Sequence, residues 1–397
     1  MRLLTPSQPF FDEIHYLPAA RTVLDLSHPL NREHPPLAKE ILALGMALFG
    51  DRTLGWRVMP ALFGTLALFA AMRAMWFASL ARFATLAYGV LLMTGFGLFV
   101  QSRIAMLDIF MISFTLVGVW MCAGAVRENE AARWRLALAG AAFGCAVACK
   151  WNAAPIAALP GVTFLILRVR ACGWRFLLSH RGPPVGGMTL VEASVWLGLM
   201  PLAVYALSYW PFYFYAKGGI GPGGLIELHR KMLELQEQVV QPHVYMSTWW
   251  QWVANWRPIW FYYEFGDGAQ RGVLMVGNPF TMLAGLFGLV WCGWAGIAKQ
   301  RRDALAVFVL YAAAIGMWII APKPVQFYYH YLLPSCFLLA ALALSADAVW
   351  RSGWRKSALL IPAISVVLFV IFWPILTAAP LDGHMSFEHW TWLPSWR

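Results

Sequence analysis

Two adjacent carboxylates open the chemistry of this chain. Asp12 and Glu13 lie in Phe10-Phe11-Asp12-Glu13-Ile14-His15-Tyr16, and an aromatic frame of that kind takes water away from a carboxylate. Desolvation disfavours the charged form and raises the pKa, which is the direction a general base needs. Asp is also a favoured helix N-cap, and the two roles are compatible. Farther along, Arg57, Arg103, Asp108 and Lys150 stand at the ends of apolar stretches. Ionisable groups at such depth are costly and usually functional. With Asp108 counted as one negative charge, Arg57, Arg103 and Lys150 remain in surplus, the balance that a bound phosphate would offset; each also fits a snorkelling interface residue. Arg103 and Asp108 are five residues apart, about 140° around a helix, so a partner for Asp108 has to come from another helix. His34, His243 and His330 sit in the same class of segments, without HxxxH or HxH spacing, so no metal centre is expected. The glycine run 218–224 follows no strand and reads as a hinge, and no Walker sequence occurs.

The elements that must carry these residues are membrane helices. Of 397 residues 60% are hydrophobic and only 12% charged, against about 25% in soluble domains. Mean hydropathy is +0.60. Soluble enzyme folds are excluded, and the 22 Trp suit helices that cross two water interfaces. Ten stretches approach the roughly 20 residues a span requires: 55–77, 83–101, 105–126, 134–149, 151–168, 190–212, 274–297, 304–321, 327–348 and 357–378. One set of alternate loops holds Arg82, then Arg127, Arg133 and Arg135, then Arg168, Arg170, Arg175 and Arg181, then Lys299, Arg301 and Arg302, then Arg351, Arg355 and Lys356. That set marks the cytoplasmic face. The opposite loops carry single basic residues (Arg103, Lys150, Lys323) and the long segments, which therefore lie outside. The net charge of +11 is thus a topology signal spread over loops and makes no nucleic-acid groove. The six cysteines form no CxxC pair and read as packing residues. The first dozen residues lack the apolar run of a cleavable signal, so the spans are expected to act as their own targeting signals.

The chain accordingly divides into an external segment 1–54, an N-terminal transmembrane bundle 55–212, an external loop 213–273, a C-terminal four-helix region 274–378 and an external aromatic tail 379–397. Leu37, Ile41, Leu44 and Leu48 share one helical face, and so do Leu225, Leu228, Met232, Leu235 and Val239. Both segments are predicted to be interfacial helices. The tail, with Trp390, Trp392 and Trp396, reads as an aromatic anchor.

Several motifs resemble, in order, those of the protein O-mannosyltransferases. They are Phe11-Asp12-Glu13 with His15-Tyr16; Glu33-His34-Pro35-Pro36-Leu37-Ala38-Lys39; Gly55-Trp56-Arg57; Ser102-Arg103-Ile104-Ala105-Met106-Leu107-Asp108; Lys150-Trp151; Pro242-His243-Val244-Tyr245-Met246-Ser247-Thr248-Trp249-Trp250 before Arg257-Pro258; Gly277-Asn278-Pro279; and Tyr328-Tyr329-His330-Tyr331-Leu332-Leu333-Pro334. The resemblance covers almost the whole chain. It implies an all-α polytopic enzyme of the GT-C glycosyltransferase fold that takes mannose from a polyprenyl-phosphate donor and transfers it, with inversion, to Ser or Thr of a protein. By position Asp12 would be the catalytic base and Glu13 would help hold the acceptor. Arg57 and Lys150 would contact the donor phosphate, in a substrate-binding set completed by Arg103, Asp108, His34 and His330. No metal or other cofactor is implied beyond the lipid-linked donor. The partners would be that donor, a secreted or membrane protein acceptor and the bilayer, with the site on the outer face of a bacterial inner membrane.

Three features depart from the family pattern. Relatives carry a span ahead of the Asp-Glu loop, whereas only eleven residues precede Asp12 here, so either the start site is misassigned or the first span is missing, and the count of ten could be eleven in the native gene product. Glu33 stands where many relatives have Asp. The external loop is too short for the β-trefoil domain of the eukaryotic enzymes, which points to a bacterial form. Two other readings remain: an enzyme of the same class acting with another sugar or on a lipid or glycan, and a transporter or flippase of a lipid-linked sugar. Transport would favour polar groups at the bilayer midplane and repeated halves, whereas here the polar groups gather at one face.

Overall fold

The computed structural model describes residues 2–238, 243–321 and 323–397. Val239 and Pro242, named above, lie outside the described residues. Helices dominate. Two short helices, α1 (Glu13–Asp25) and α2 (Leu37–Phe49), precede the long α3 (Thr53–Ser79). Then follow α4 (Arg82–Thr94), α5 (Gly97–Gln101), α6 (Leu107–Arg127), α7 (Ala132–Cys149) and α8 (Ala154–Cys172). A π turn, Val195–Leu199, joins α9 (Leu190–Ser194) to α10 (Met200–Leu207). The segment after α10 contributes α11 (Gly224–Glu237) and α12 (Trp249–Val253), and the C-terminal region α13 (Pro279–Ala298), α14 (Arg302–Ile320), α15 (Leu332–Arg351) and α16 (Arg355–Leu376).

Among the described residues eight helical segments are long and apolar enough to cross a membrane: Thr53–Ser79, Leu107–Arg127, Trp151–Arg175, Leu190–Leu207, Pro279–Ala298, Arg302–Ile320, Tyr328–Arg351 and Arg355–Leu376. The other two of the ten expected stretches differ for identifiable reasons. Residues 83–101 break where Phe96 takes φ 73, which splits them into the 13-residue α4 and the 5-residue α5. The stretch 134–149 is helical within α7, but Arg133 and Arg135 occupy its first turn and lower its apolarity. In the core, α6 packs between α3 and α7, while α15 packs against α13, α14 and α4. Small residues permit close approach: at Gly55 any side chain would collide with the Gly50 carbonyl, so α3 can begin tight against the end of α2.

The all-α expectation holds, with one small addition. Strands β1 (Ile259–Gly266) and β2 (Ala269–Met275) form an antiparallel hairpin with Gly266 opposite Ala269. Its two-residue turn is Asp267-Gly268, both at positive φ (50 and 75), as a type I′ turn requires. This Asp-Gly pair was the legible signal, and it lay inside a segment read only as a loop. The hairpin positions the site: Ser7 donates to the Asp267 carboxylate from both its backbone N–H (2.9 Å) and its hydroxyl (2.5 Å). Phe261 stacks on Phe11 at 4.4 Å and Tyr262 lies 5.5 Å from Phe10.

The external helices also differ from a purely interfacial reading. In α2, Ile41 is buried, together with Ala38, Leu42 and Met46, whereas Leu44 and Leu48 remain exposed on the protein surface. In α11 the apolar face is turned inward, with Leu228 and Met232 buried on Tyr209, Phe212 and Tyr215. The tail is more than an anchor. Trp396 is buried and donates its indole N–H to the Asn255 carbonyl (2.9 Å), and its own carbonyl accepts from the Trp260 indole (3.0 Å).

Candidate active site

Phe11 takes φ 53, a left-handed conformation rarely adopted by a bulky side chain, and this tight turn delivers Asp12 to the N-cap position of α1. The Asp12 side chain makes no capping hydrogen bond, so its carboxylate stays available. It accepts from the Tyr16 hydroxyl at 3.3 Å. Burial raises the Asp12 carboxyl above its usual value and the neighbouring Asp108 adds to that, while Lys150 and His15 pull the other way. The direction agrees with the desolvation expected from the aromatic frame.

Glu13 is placed differently from its neighbour. It is fully buried and its carboxylate accepts four N–H groups: Arg57 Nε (2.8 Å) and Nη2 (2.7 Å), and the backbone amides of Ala105 (2.9 Å) and Phe10 (3.2 Å). Arg57 donates its remaining hydrogens to the carbonyls of Leu3 (3.1 Å), Pro6 (2.6 Å) and Gln8 (3.2 Å). A guanidinium has five N–H donors, and here protein acceptors take them all. Arg57 therefore has no hydrogen left for a donor phosphate, and Glu13 no lone pair turned toward an acceptor. In this structure both hold the loop that presents Asp12. Arg103 is also drawn into the protein frame: it donates to the carbonyls of Arg2 (2.8 Å), Thr5 (2.9 Å), Leu376 (3.2 Å) and Thr377 (3.0 Å) and so ties the N-terminal segment to the end of α16, while its Nε is buried without a partner among the described residues.

Asp108 does find its partner on another helix. Lys150, at the C-cap of α7 with extended backbone, donates to both Asp108 oxygens at 2.9 and 2.8 Å. Its ammonium also faces the Tyr329 ring at 4.9 Å. Asp108 lies in the first turn of α6, where the helix N-terminus favours a carboxylate. Unlike the Glu13–Arg57 pair, this one opens on a cleft of about 180 Å³ lined by Glu33, His34, Lys150, Asn152, Trp318 and Lys323 together with Leu233, Gln236 and Glu237 of α11.

His34 borders the cleft at 6.2 Å from the Tyr16 ring. Desolvation and the surrounding lysines push its pKa well down, so it offers a neutral imidazole and not a third cation. Its carbonyl accepts from Lys39 Nζ (2.9 Å), which also donates to the Asn31 carbonyl (2.6 Å) and so clamps the His-Pro-Pro loop. His330 is buried against Trp318 with ring centroids 4.1 Å apart. Its Nδ1 accepts from the Phe327 amide (3.0 Å), which leaves the proton on Nε2, an atom without a partner among the described residues. No group of three His, Cys, Asp or Glu side chains with a metal-binding arrangement occurs among the described residues.

Sequence reasoning missed Lys323, Asn152 and the α11 residues of this cleft. Lys323 had been counted among the single basic residues of outer turns. A signal did exist, because a lysine on the outer face runs against the positive-inside trend.

Residues 49–213 match the family model described as dolichyl-phosphate-mannose-protein mannosyltransferase, and residues 223–396 that of the C-terminal four TMM region of protein-O-mannosyltransferase. The chain is 25% identical to the polyprenol-phosphate-mannose--protein mannosyltransferase of Corynebacterium glutamicum, over 98% of this chain and 88% of that one. It is 26% identical to the protein of the same description from Mycolicibacterium smegmatis, with the same coverage. Among solved structures it is similar to the S. cerevisiae protein O-mannosyltransferase Pmt1-Pmt2 complex bound to the sugar donor, with a TM-score of 0.80 and 14% identity over 99% of this chain and 90% of that one. ArnT from Cupriavidus metallidurans bound to undecaprenyl phosphate gives a TM-score of 0.61 and 14% identity over 96% and 74%. The GT-C fold, the two consecutive family matches and the full-length relatives agree: this multi-pass membrane chain belongs to the protein O-mannosyltransferase family and is a glycosyltransferase.

Proposed function

We propose that this chain transfers mannose from a polyprenyl-phosphate-mannose donor to Ser or Thr hydroxyls of proteins at the outer face of a bacterial inner membrane, with inversion and with Asp12 as general base. Asp12 removes the proton of the acceptor hydroxyl as its oxygen bonds to C1 of the sugar. The bond from C1 to the phosphate oxygen breaks and its electron pair leaves with the polyprenyl phosphate. A single displacement needs one base and inverts the anomeric centre. The phosphate is already a good leaving group, so side-chain cations can stabilise it in place of a metal. Lys150 supplies one such charge, and Asp108 holds it in position. Glu13, Arg57 and Arg103 act by orienting the Asp12 loop.

The observation that carries this reading is the placement of a desolvated, uncapped carboxylate within electrostatic reach of Lys150 and Asp108, beside the external cleft that Lys150 lines. The relatives named for polyprenol-phosphate-mannose support the donor and the protein acceptor. The deciding assay is transfer of labelled mannose from polyprenyl-phosphate-mannose to a Ser/Thr-rich peptide by membranes containing the chain. Label in the peptide supports the reading; consumption of the donor into lipid or glycan instead would move the acceptor to another class.

A further inference from the structure

Of the three cations assigned to a phosphate from sequence, two are committed elsewhere and the third is shared with a carboxylate. Arg57 and Arg103 are turned into the frame, and Lys150 gives two hydrogen bonds to Asp108, whose carboxylate offsets its charge. A fourth cation faces the same cleft. Lys323 lies between α14 and α15, lines the cleft with Lys150, and makes no ion pair among the described residues. Of the two acids on the cleft wall, Glu33 accepts from the Asn31 amide (2.5 Å) and Glu237 belongs to α11. An ammonium removed from water without an anion is costly. That cost is visible, because burial and the nearby Lys150 bring the Lys323 ammonium down to about 8 while Asp108, Asp12 and Glu33 offset only part of the effect. The cleft also presents an unpartnered, buried acceptor, the Asn152 side-chain oxygen. At about 180 Å³ it is small beside the roughly 300–1,000 Å³ of drug-sized ligand pockets, so it accommodates a head group and not a lipid chain.

We propose that Lys323 is the residue that receives the phosphate of the polyprenyl-linked donor, with Lys150 and its Asp108 partner beside it and the Asn152 oxygen accepting from a sugar hydroxyl. This rests on the lipid-phosphate donor reading given above and adds the group that recognises the anion. Lys323 contributes charge to binding and takes no proton in the reaction.

The test uses the purified full-length chain in lipid nanodiscs and measures binding of polyprenyl phosphate, with the uncharged polyprenol as control, alongside mannosyl transfer. Lys323→Met is expected to weaken polyprenyl phosphate at least tenfold, leave polyprenol binding unchanged and raise the donor KM more than it lowers kcat. Lys323→Arg is expected to stay within about threefold of the parent. Should Lys323→Met fail to fold, a pH series of the parent protein beside Lys323→Arg still tests the assignment. Its affinity for polyprenyl phosphate should fall between pH 8 and 10, where the phosphate itself no longer titrates, and Lys323→Arg should abolish that fall. Asp12, Asp108, Glu33, Glu237, His34 and Lys150 also face this region and are unchanged in Lys323→Arg, so a fall that this variant abolishes belongs to Lys323. Unchanged polyprenyl phosphate affinity in Lys323→Met overturns the assignment whatever happens to transfer, as does a parent protein that binds polyprenol and polyprenyl phosphate equally. A phosphate preference that depends on Lys323, in a protein that transfers no mannose, upholds the assignment and overturns the mannosyltransferase reading instead.

Discussion

Two buried ion pairs stand at the same end of the helix bundle, and they do different things. In Glu13–Arg57 each partner is saturated: the carboxylate takes four N–H groups, and the guanidinium spends its five hydrogens on that carboxylate and three carbonyls. In Asp108–Lys150 the ammonium is held by one carboxylate, faces an aromatic ring and borders a cleft. Buried charge at this end of the bundle is therefore not in itself a sign of substrate contact. What separates a structural pair from a functional one is the hydrogen-bonding capacity left over and the space in front of it.

The largest effect is expected beside both pairs. Asp12→Asn removes a base and little volume, so transfer of labelled mannose should drop about 10²–10⁴-fold while donor binding and the thermal midpoint hold. Near-normal turnover in this variant would remove Asp12 as the base. Next come the saturated partners. Arg57→Met or Glu13→Gln leaves a buried group unpaired, and stability should fall by about 3–5 kcal/mol, read as a lower thermal midpoint with unchanged donor affinity in the protein that still folds. An Arg57→Met protein with the parent's midpoint but weakened donor binding would erase the distinction between the two pairs.

For the open pair the expectation is reversed. Lys150→Ala should weaken the donor by roughly 10- to 100-fold, the loss of a charge-assisted hydrogen bond of about 1.5–3 kcal/mol. Adding Asp108→Asn should recover stability, since no charge is then left unpaired, without recovering affinity. An unchanged donor KM would reduce Lys150 to a partner for Asp108. The smallest effect concerns a third acid of this face, Glu40, whose Oε1 is buried without a partner and whose neighbour Lys39 is spent on carbonyls. Burial pushes the Glu40 carboxyl from 4.5 up to about 7. The folded state thus holds this proton more tightly than the unfolded chain does. The stability it contributes is complete below pH 4.5 and is lost as pH rises through 7. Glu40→Gln should flatten that slope in a pH series of thermal midpoints, and an unaltered slope would show that Glu40 is solvated.

Much of this was legible along the chain because the signals are local. Helical spans announce themselves by composition, and the spacing of Arg103 and Asp108 already required Asp108 to look to another helix for its partner, which proved to be Lys150. The apolar stripe of α11 was visible, but a stripe does not say what it faces; here it packs on Tyr209, Phe212 and Tyr215 in place of lipid. The hairpin went unread because its strands carry aromatic residues that also suit an interface, although Asp267-Gly268 marked the turn. Arg57 was assigned to a phosphate because a count of charges cannot register that carbonyls distant in sequence, such as that of Pro6, have already taken its hydrogens, and Arg103 likewise spends part of its capacity on the Leu376 carbonyl.

The sequence by itself determined that this is a helical membrane protein, which family its motifs resemble, and which carboxylates and cations stand at the ends of its apolar stretches. Each of these depends on residue type or near-neighbour spacing. Only the tertiary structure decided which cations remain available. Hydrogen-bond saturation and cleft lining are set by groups brought together across many residues: Glu13 with Arg57, Asp108 with Lys150, and Lys150 with Lys323 on one wall. A donor already satisfied by a carbonyl and one left facing open space are the same letter in the sequence, and they differ only once the chain has packed.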